Sequence, residues 1–172
     1  MPAWSEEIAY QFVILASDDR QEVTQLQLQK LIYIAHGWRL FTSGQPLTGD
    51  RPEAAPFGPA YRRLSERLAI CGLEPVQKDL LPKPDASALD AREMEMIAAV
   101  WNSHRGLTAE QLSGVTRSSC APWSMIWAGG RGSGQEISHQ LIRQQFAAIA
   151  RLQDGDRLAE ADRSHGKAKN DG

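Results

Sequence analysis

Apolar residues recur along most of this chain at helical spacing. Ile8, Phe12, Leu15 and Ala16 fall at i, i+4, i+7 and i+8, which predicts a helix over Ser5–Ala16 with one buried stripe. Ser5 is the expected N-cap, with Glu6 and Glu7 placing negative charge in the first turn. A second helix should open at Thr24, which forms a capping box with Gln27, run to Phe41 and stop at Gly44. Its residues Leu28, Leu31, Ile32, Ala35 and Trp38 line one side, while Leu26, Tyr33, Ile34, Leu40 and Phe41 cover much of the other. Gln25, Gln29 and His36 leave only a narrow polar notch. A helix apolar nearly all round belongs at the centre of a fold, with neighbours on several sides.

The pattern changes from Gly44 to Pro59, where Gly, Pro and Asp recur too often for a long helix. Leu47-Thr48 and Glu53-Ala54-Ala55 fit short extended pieces whose pairing Pro52 and Pro56 would limit. A third helix is expected from Pro59 to Ile70, with Pro59 at its first position. A fourth should begin near Ser87 or Asp90 and carry Met94, Ile97, Val100 and Trp101 inward, and Thr108 with Gln111 caps a short fifth. Pro122 to Ala128 adds a turn or two, Gly129–Gly134 reads as a flexible connector, and Ser138 caps a last helix bearing Leu141, Ile142, Phe146 and Ile149. Past Gln153 the apolar residues almost vanish, so a disordered tail is expected over residues 153–172. The fold class that follows is mostly α: one compact helical domain over residues 1–152, with a central buried helix and at most a small β element around residues 46–56.

Composition narrows the function. With 172 residues the chain is long enough for one self-sufficient core. It contains no apolar run of membrane-spanning length and no signal-peptide layout, so a cytoplasmic location is expected. A net charge of −2 with no basic block weighs against nucleic acid as the main partner. The densest basic spot, Arg62-Arg63 with Arg67, encloses Glu66 and reads more simply as a solvated helix face.

Candidate chemistry is sparse. Cys71 and Cys120 lie far apart, and His36, His104, His139 and His165 are scattered, with no hydrolase or protease signature among them. There is no Cys-x-x-Cys and no His pair at metal-ligand spacing, and the glycine run lacks the Gly-Lys-Ser/Thr of a phosphate loop. No catalytic residue, metal site or cofactor is therefore expected. The five tryptophans stand out, because tryptophan is common both in cores and at binding hot spots. Trp123 and Trp127, four apart between Pro122 and the glycine run, are the pair placed nearest a surface.

Several of these segments together resemble the Panacea domain, also called the SocA-like antitoxin domain. Leu28, Lys30, Leu31, Tyr33 and Trp38 match its opening helix, and Gly44-Gln45-Pro46-Leu47 matches the Gly-x-Pro-Leu turn that follows. Glu53-Ala54 leading to Phe57-Gly58-Pro59 resembles the next step, and Leu112-Ser113, Thr116 and Pro122-Trp123 resemble a later element. Where many members carry His after that Thr, this chain has Arg117, so no role resting on the His is carried over. The resemblance implies a bacterial or phage antitoxin that binds a protein toxin encoded beside it, holding it inactive or delivering it to a protease. The partner interface is then expected at His36, Phe57, Tyr61, Arg62 and Trp127. The competing readings are a DNA-binding autoregulator working through Arg62, Arg63 and Arg67, and, behind it, a Cys/His hydrolase.

Overall fold

The computed structural model describes residues 1–168. Seven α-helices and one two-stranded antiparallel sheet follow in the order α1 (Ser5–Asp18), α2 (Gln25–Ser43), β1 (Glu53–Ala55), β2 (Gly58–Ala60), α3 (Arg62–Leu68), α4 (Ala91–His104), α5 (Ala109–Thr116), α6 (Pro122–Trp127) and α7 (His139–Ala168). The protein is thus mostly α with a small β element. None of the described helices is long and apolar enough to cross a membrane.

α2 is the axis of the domain. It packs against α1, α3, α4, α5, α7 and β2, and every residue from Leu28 to Gly37 is buried. Its ends are set locally. Thr24 and Gln27 close the capping box, and Gly44 takes the left-handed conformation at φ 70° that lets the last turn finish. Inside the helix, Gly37 faces Phe146 of α7, whose ring occupies the space a Cβ would need. Trp38 meets Phe146 edge-on with ring centroids 5.1 Å apart, and Tyr33 meets it at 6.2 Å. The missing side chain at Gly37 lets α7 seat an aromatic directly on the backbone of α2.

Several local expectations need correction. Trp4, not Ser5, is the N-cap of α1, and the Ser5 backbone N–H and hydroxyl donate instead to Asp50, fastening the loop after α2. The third helix begins at Arg62, because Gly58-Pro59-Ala60 forms β2 and pairs with Ala55-Ala54-Glu53. The reason lies on α2: the Gln29 amide accepts from the Tyr61 N–H at 2.8 Å and donates to its carbonyl at 3.4 Å, holding Tyr61 extended. Proline is tolerated because this short sheet asks no N–H of it. The glycine run is docked as well. Ala54 exchanges hydrogen bonds with Gly134 and Gln135, and a Cβ on Gly132 would overlap the carbonyl of Ile126. Last, the helix that begins after Ser138 does not stop near Gln153 but continues to Ala168. Every side chain described beyond Ala150 is exposed, so these outer turns rest on helix-forming Arg, Leu, Ala and Glu and not on burial. Residues 169–172 of the expected tail lie outside the described region.

His36, expected at a partner surface, is fully buried. Its Nδ1 accepts from the Thr48 N–H at 3.3 Å, and its ring lies 5.0 Å from that of His139 on α7. Burial first, and then the neighbouring His139, push its pKa down to about 3, so the ring is neutral in the fold. Tyr61, the other interface candidate now found in the core, is also fully buried and meets His36 edge-on at 6.4 Å. Neither is open to a partner.

The packing of Phe146 on Gly37 sets the first expected outcome. Gly37→Ala should destabilise the domain by about 1–3 kcal/mol through overpacking, despite the ~1 kcal/mol gain in helix propensity. Denaturant melts of the single and double variants check this: Phe146→Leu should cost less in the Gly37→Ala background than in the wild type, and additive costs would contradict the contact. The buried imidazole sets a second, in pH. A base whose folded pKa is lowered contributes stability that is whole above its unfolded value near 6.5 and is lost as pH falls toward the folded value of about 3. Stability should therefore decline between pH 6.5 and 5 by up to about 1.4 kcal/mol per pH unit for this group. His36→Asn should flatten that decline, and a wild-type stability constant from pH 7 to 5 would contradict the assignment.

Candidate functional site

The sheet and the first turns of α2 build the most distinctive surface of the molecule. β1 and β2 make a tight hairpin with Pro56 and Phe57 at its tip. Such a short hairpin has little stability alone, and here side chains of α2 and α6 and the Gly134–Gln135 backbone hold it. The Lys30 ammonium of α2 donates to the Phe57 carbonyl at 2.6 Å. The Trp123 indole N–H of α6 donates to the Ala55 carbonyl at 2.8 Å. Gln29 secures Tyr61 at the far end, and the Gly134–Gln135 backbone pairs with Ala54. The polar residues on one flank of α2 thus serve as attachment points for the hairpin and the chain that leaves it.

A cleft of about 340 Å³ opens between this hairpin, the N-terminal half of α2 and the turn after α3. Leu26, Pro56, Phe57, Pro59, Ala60 and Leu73 supply its apolar lining, while Gln25, Gln29 and Lys30 supply polar groups. Gln25 crosses it to donate to the Gly72 carbonyl at 2.9 Å. The rim is apolar and open to solvent: Phe57 is 65% exposed and Leu73 82%, and Ile70, in the same turn, is 83% exposed. Large apolar side chains this exposed and this close along the chain mark a contact surface.

Lys30 is the unusual group here. It is only 3% exposed, and burial lowers its pKa to about 8, with the positive charge of Arg117 adding to the effect and Glu110 opposing it. Arg117 lies over the Trp123 ring at 5.9 Å and pairs with exposed Glu110 at 3.6 Å.

Of the residues expected to carry partner contact, Phe57 lies on the cleft rim and Arg62 is exposed beside the hairpin, where its guanidinium is held by Glu53 through bonds of 3.0 and 2.9 Å. Trp127 is partly buried and stacks on Trp123, with centroids 5.7 Å apart and planes 12° from parallel. The family-motif residues divide by role: Leu28, Leu31 and Tyr33 are core, Trp38 and Pro46 are half-buried, and Lys30, Gly58, Pro59, Pro122 and Trp123 build or brace the hairpin. Gln29 and Leu73 had no place among the expected site residues. Gln29 was legible only as part of the polar notch, and Leu73 carried no signal beyond being an apolar residue in a turn.

Among the described residues no three or more of His, Cys, Asp and Glu form a cluster that would hold a metal ion. Cys71 and Cys120 are free thiols, and the Cys120 sulfur lies 3.9 Å from the hydroxyl of its chain neighbour Ser119.

Comparison with known proteins follows the same segments. The family described as "Antitoxin SocA-like, Panacea domain" matches residues 28–124, which take in most of the cleft lining, the hairpin and the Trp123 brace. The chain is similar to Antitoxin SocA of Caulobacter vibrioides, at 29% identity over 135 residues, covering 72% of each protein. No solved structure matches.

Proposed function

Because the chain belongs to the SocA-like, Panacea-domain antitoxin family, we propose that it neutralises a protein toxin by binding it directly, through the face that bears the Lys30 cleft and the hairpin tip. Membership carries the antitoxin role and supports a non-enzymatic one. The observation that carries the rest is the exposed apolar rim of Phe57 and Leu73 on a firmly held scaffold. A hairpin already fixed in the free protein loses little conformational freedom on binding, so more of the contact energy is expressed as affinity.

The DNA-binding reading has less support. Its three arginines are engaged within the molecule: Arg62 pairs with Glu53, while Arg63 and Arg67 both pair with buried Glu6. Desolvation raises the Glu6 pKa, but the hydrogen bonds from Arg67 and Arg63 outweigh it, so the carboxylate stays ionised and holds them. Phosphate contact would compete with these pairs for the same guanidinium charge. Delivery of the bound toxin to a protease in the cytoplasm is compatible with direct binding and would add toxin turnover to it.

Co-expression with the adjoining reading frame, scored by growth, tests the role, and titration of the purified toxin tests the mechanism. Phe57→Ala and Leu73→Ala should keep a near-wild-type melting temperature and lose about 1–2 kcal/mol or more of affinity each, roughly tenfold in Kd. Neutralisation of the purified toxin without any protease would favour inhibition over delivery. Unchanged affinity in both variants would move the interface off this face.

A further inference from the structure

Lys30 carries more hydrogen-bonding capacity than the fold uses. An ammonium has three donors, and the contact made here is a single bond to a neutral carbonyl, that of Phe57. Among the described residues no carboxylate lies within ion-pair distance of it. Buried cations normally have a paired anion, because desolvation is otherwise uncompensated. Here the neighbouring charge acting most on it is another cation, Arg117, and the acidic group that opposes it, Glu110, is exposed and already paired with Arg117.

A glycine leaves space beside the ammonium. Gly58 adopts φ 120°, and a Cβ there would sit 3.1 Å from the Lys30 nitrogen and 3.3 Å from Arg117 Cγ. Any other residue would therefore narrow the space beside the charge. The same cleft is walled by Leu26, Phe57, Pro59 and Leu73. One positive group within an apolar cleft is complementary to one negative group flanked by apolar ones.

We propose that this cleft receives an acidic side chain of the toxin, with the carboxylate paired to Lys30 and an adjacent apolar side chain gripped by Phe57 and Leu73. The occupant is a Glu or Asp on the toxin's contact surface, and the pair it forms supplies the counter-ion that the antitoxin lacks on its own. The assignment rests on the direct-binding reading above, but its test does not use the toxin.

The full chain, with 13C-labelled lysine and leucine, is titrated by NMR with two capped peptides, Ac-Leu-Glu-Leu-NH2 and Ac-Leu-Gln-Leu-NH2. The glutamate peptide should shift the Lys30 and Leu73 signals and bind at least about fivefold more tightly than its neutral twin, a difference within the range of one charge-assisted hydrogen bond. It should also raise the Lys30 titration midpoint from about 8 toward the ordinary lysine value, since an opposite charge favours the protonated form. Lys30→Met should erase the preference, and if that variant does not fold, the wild-type midpoint decides alone. Equal affinity for the two peptides, a midpoint unmoved by the glutamate peptide, or no shift from either at about 10 mM overturns the proposal. That result would leave direct binding standing if growth rescue holds. Failure of rescue beside an intact peptide preference would instead sink the antitoxin–toxin reading of the site.

Discussion

Burying Gln29, Lys30 and His36 among the mainly apolar buried residues of α2 is the constraint on which this architecture depends. Eleven of the nineteen residues of α2 are buried, and a buried polar group without a partner costs free energy comparable to a lost hydrogen bond or more. Helices packed around α2 can cover its apolar positions, but their backbone groups are already paired internally and have little to offer these three side chains. The segment between α2 and α3 has free backbone groups to give. Thr48 answers His36, Phe57 answers Lys30 and Tyr61 answers Gln29. The loop is therefore irregular by composition and fixed by the polar flank of the helix beneath it.

The proposed contact face grows out of that arrangement. Because the Lys30 bond is made to the hairpin tip, Phe57 is presented outward on an immobilised turn. The residues that hold the turn, Trp123 and the Gly134–Gln135 backbone, come from distant parts of the chain. A contact surface built this way is sensitive to the core, so many substitutions far from the partner would loosen it. The family-matched residues 28–124 enclose the hairpin, the lysine beneath it and the indole beside it, while α1, α7 and the Gly134–Gln135 backbone lie outside them.

Much of this was legible in the sequence, where local rules act without competition. The Thr24–Gln27 and Thr108–Gln111 boxes stand where spacing placed them, Asp90 caps α4, and Gly44 ends α2. The central position of α2 followed from its lack of a continuous polar face. Expectations failed where a long-range partner overrode a local rule. Pro59 is a good first helical residue, yet the Gln29 amide holds Tyr61 extended and keeps Pro59 in a strand. Glycines 129–134 have the composition of a connector, yet the run docks on β1 and on Ile126. His36 and Tyr61 look like surface chemistry by residue type alone, and only the three-dimensional packing reveals that they face one another inside the core. The cleft itself was invisible, because Leu73 and Lys30 are forty-three positions apart and meet only after the hairpin has closed between them.

The central claim is that the toxin seats on the hairpin and its cleft. Hydrogen–deuterium exchange on the full chain, measured with and without saturating purified toxin, tests it most directly. Binding should slow exchange in the peptides covering residues 54–60 and 70–74 and at the start of α2, with little change in the outer turns of α7. Slowed exchange confined to α4 and the outer turns of α7, with the hairpin unaffected, would contradict the account.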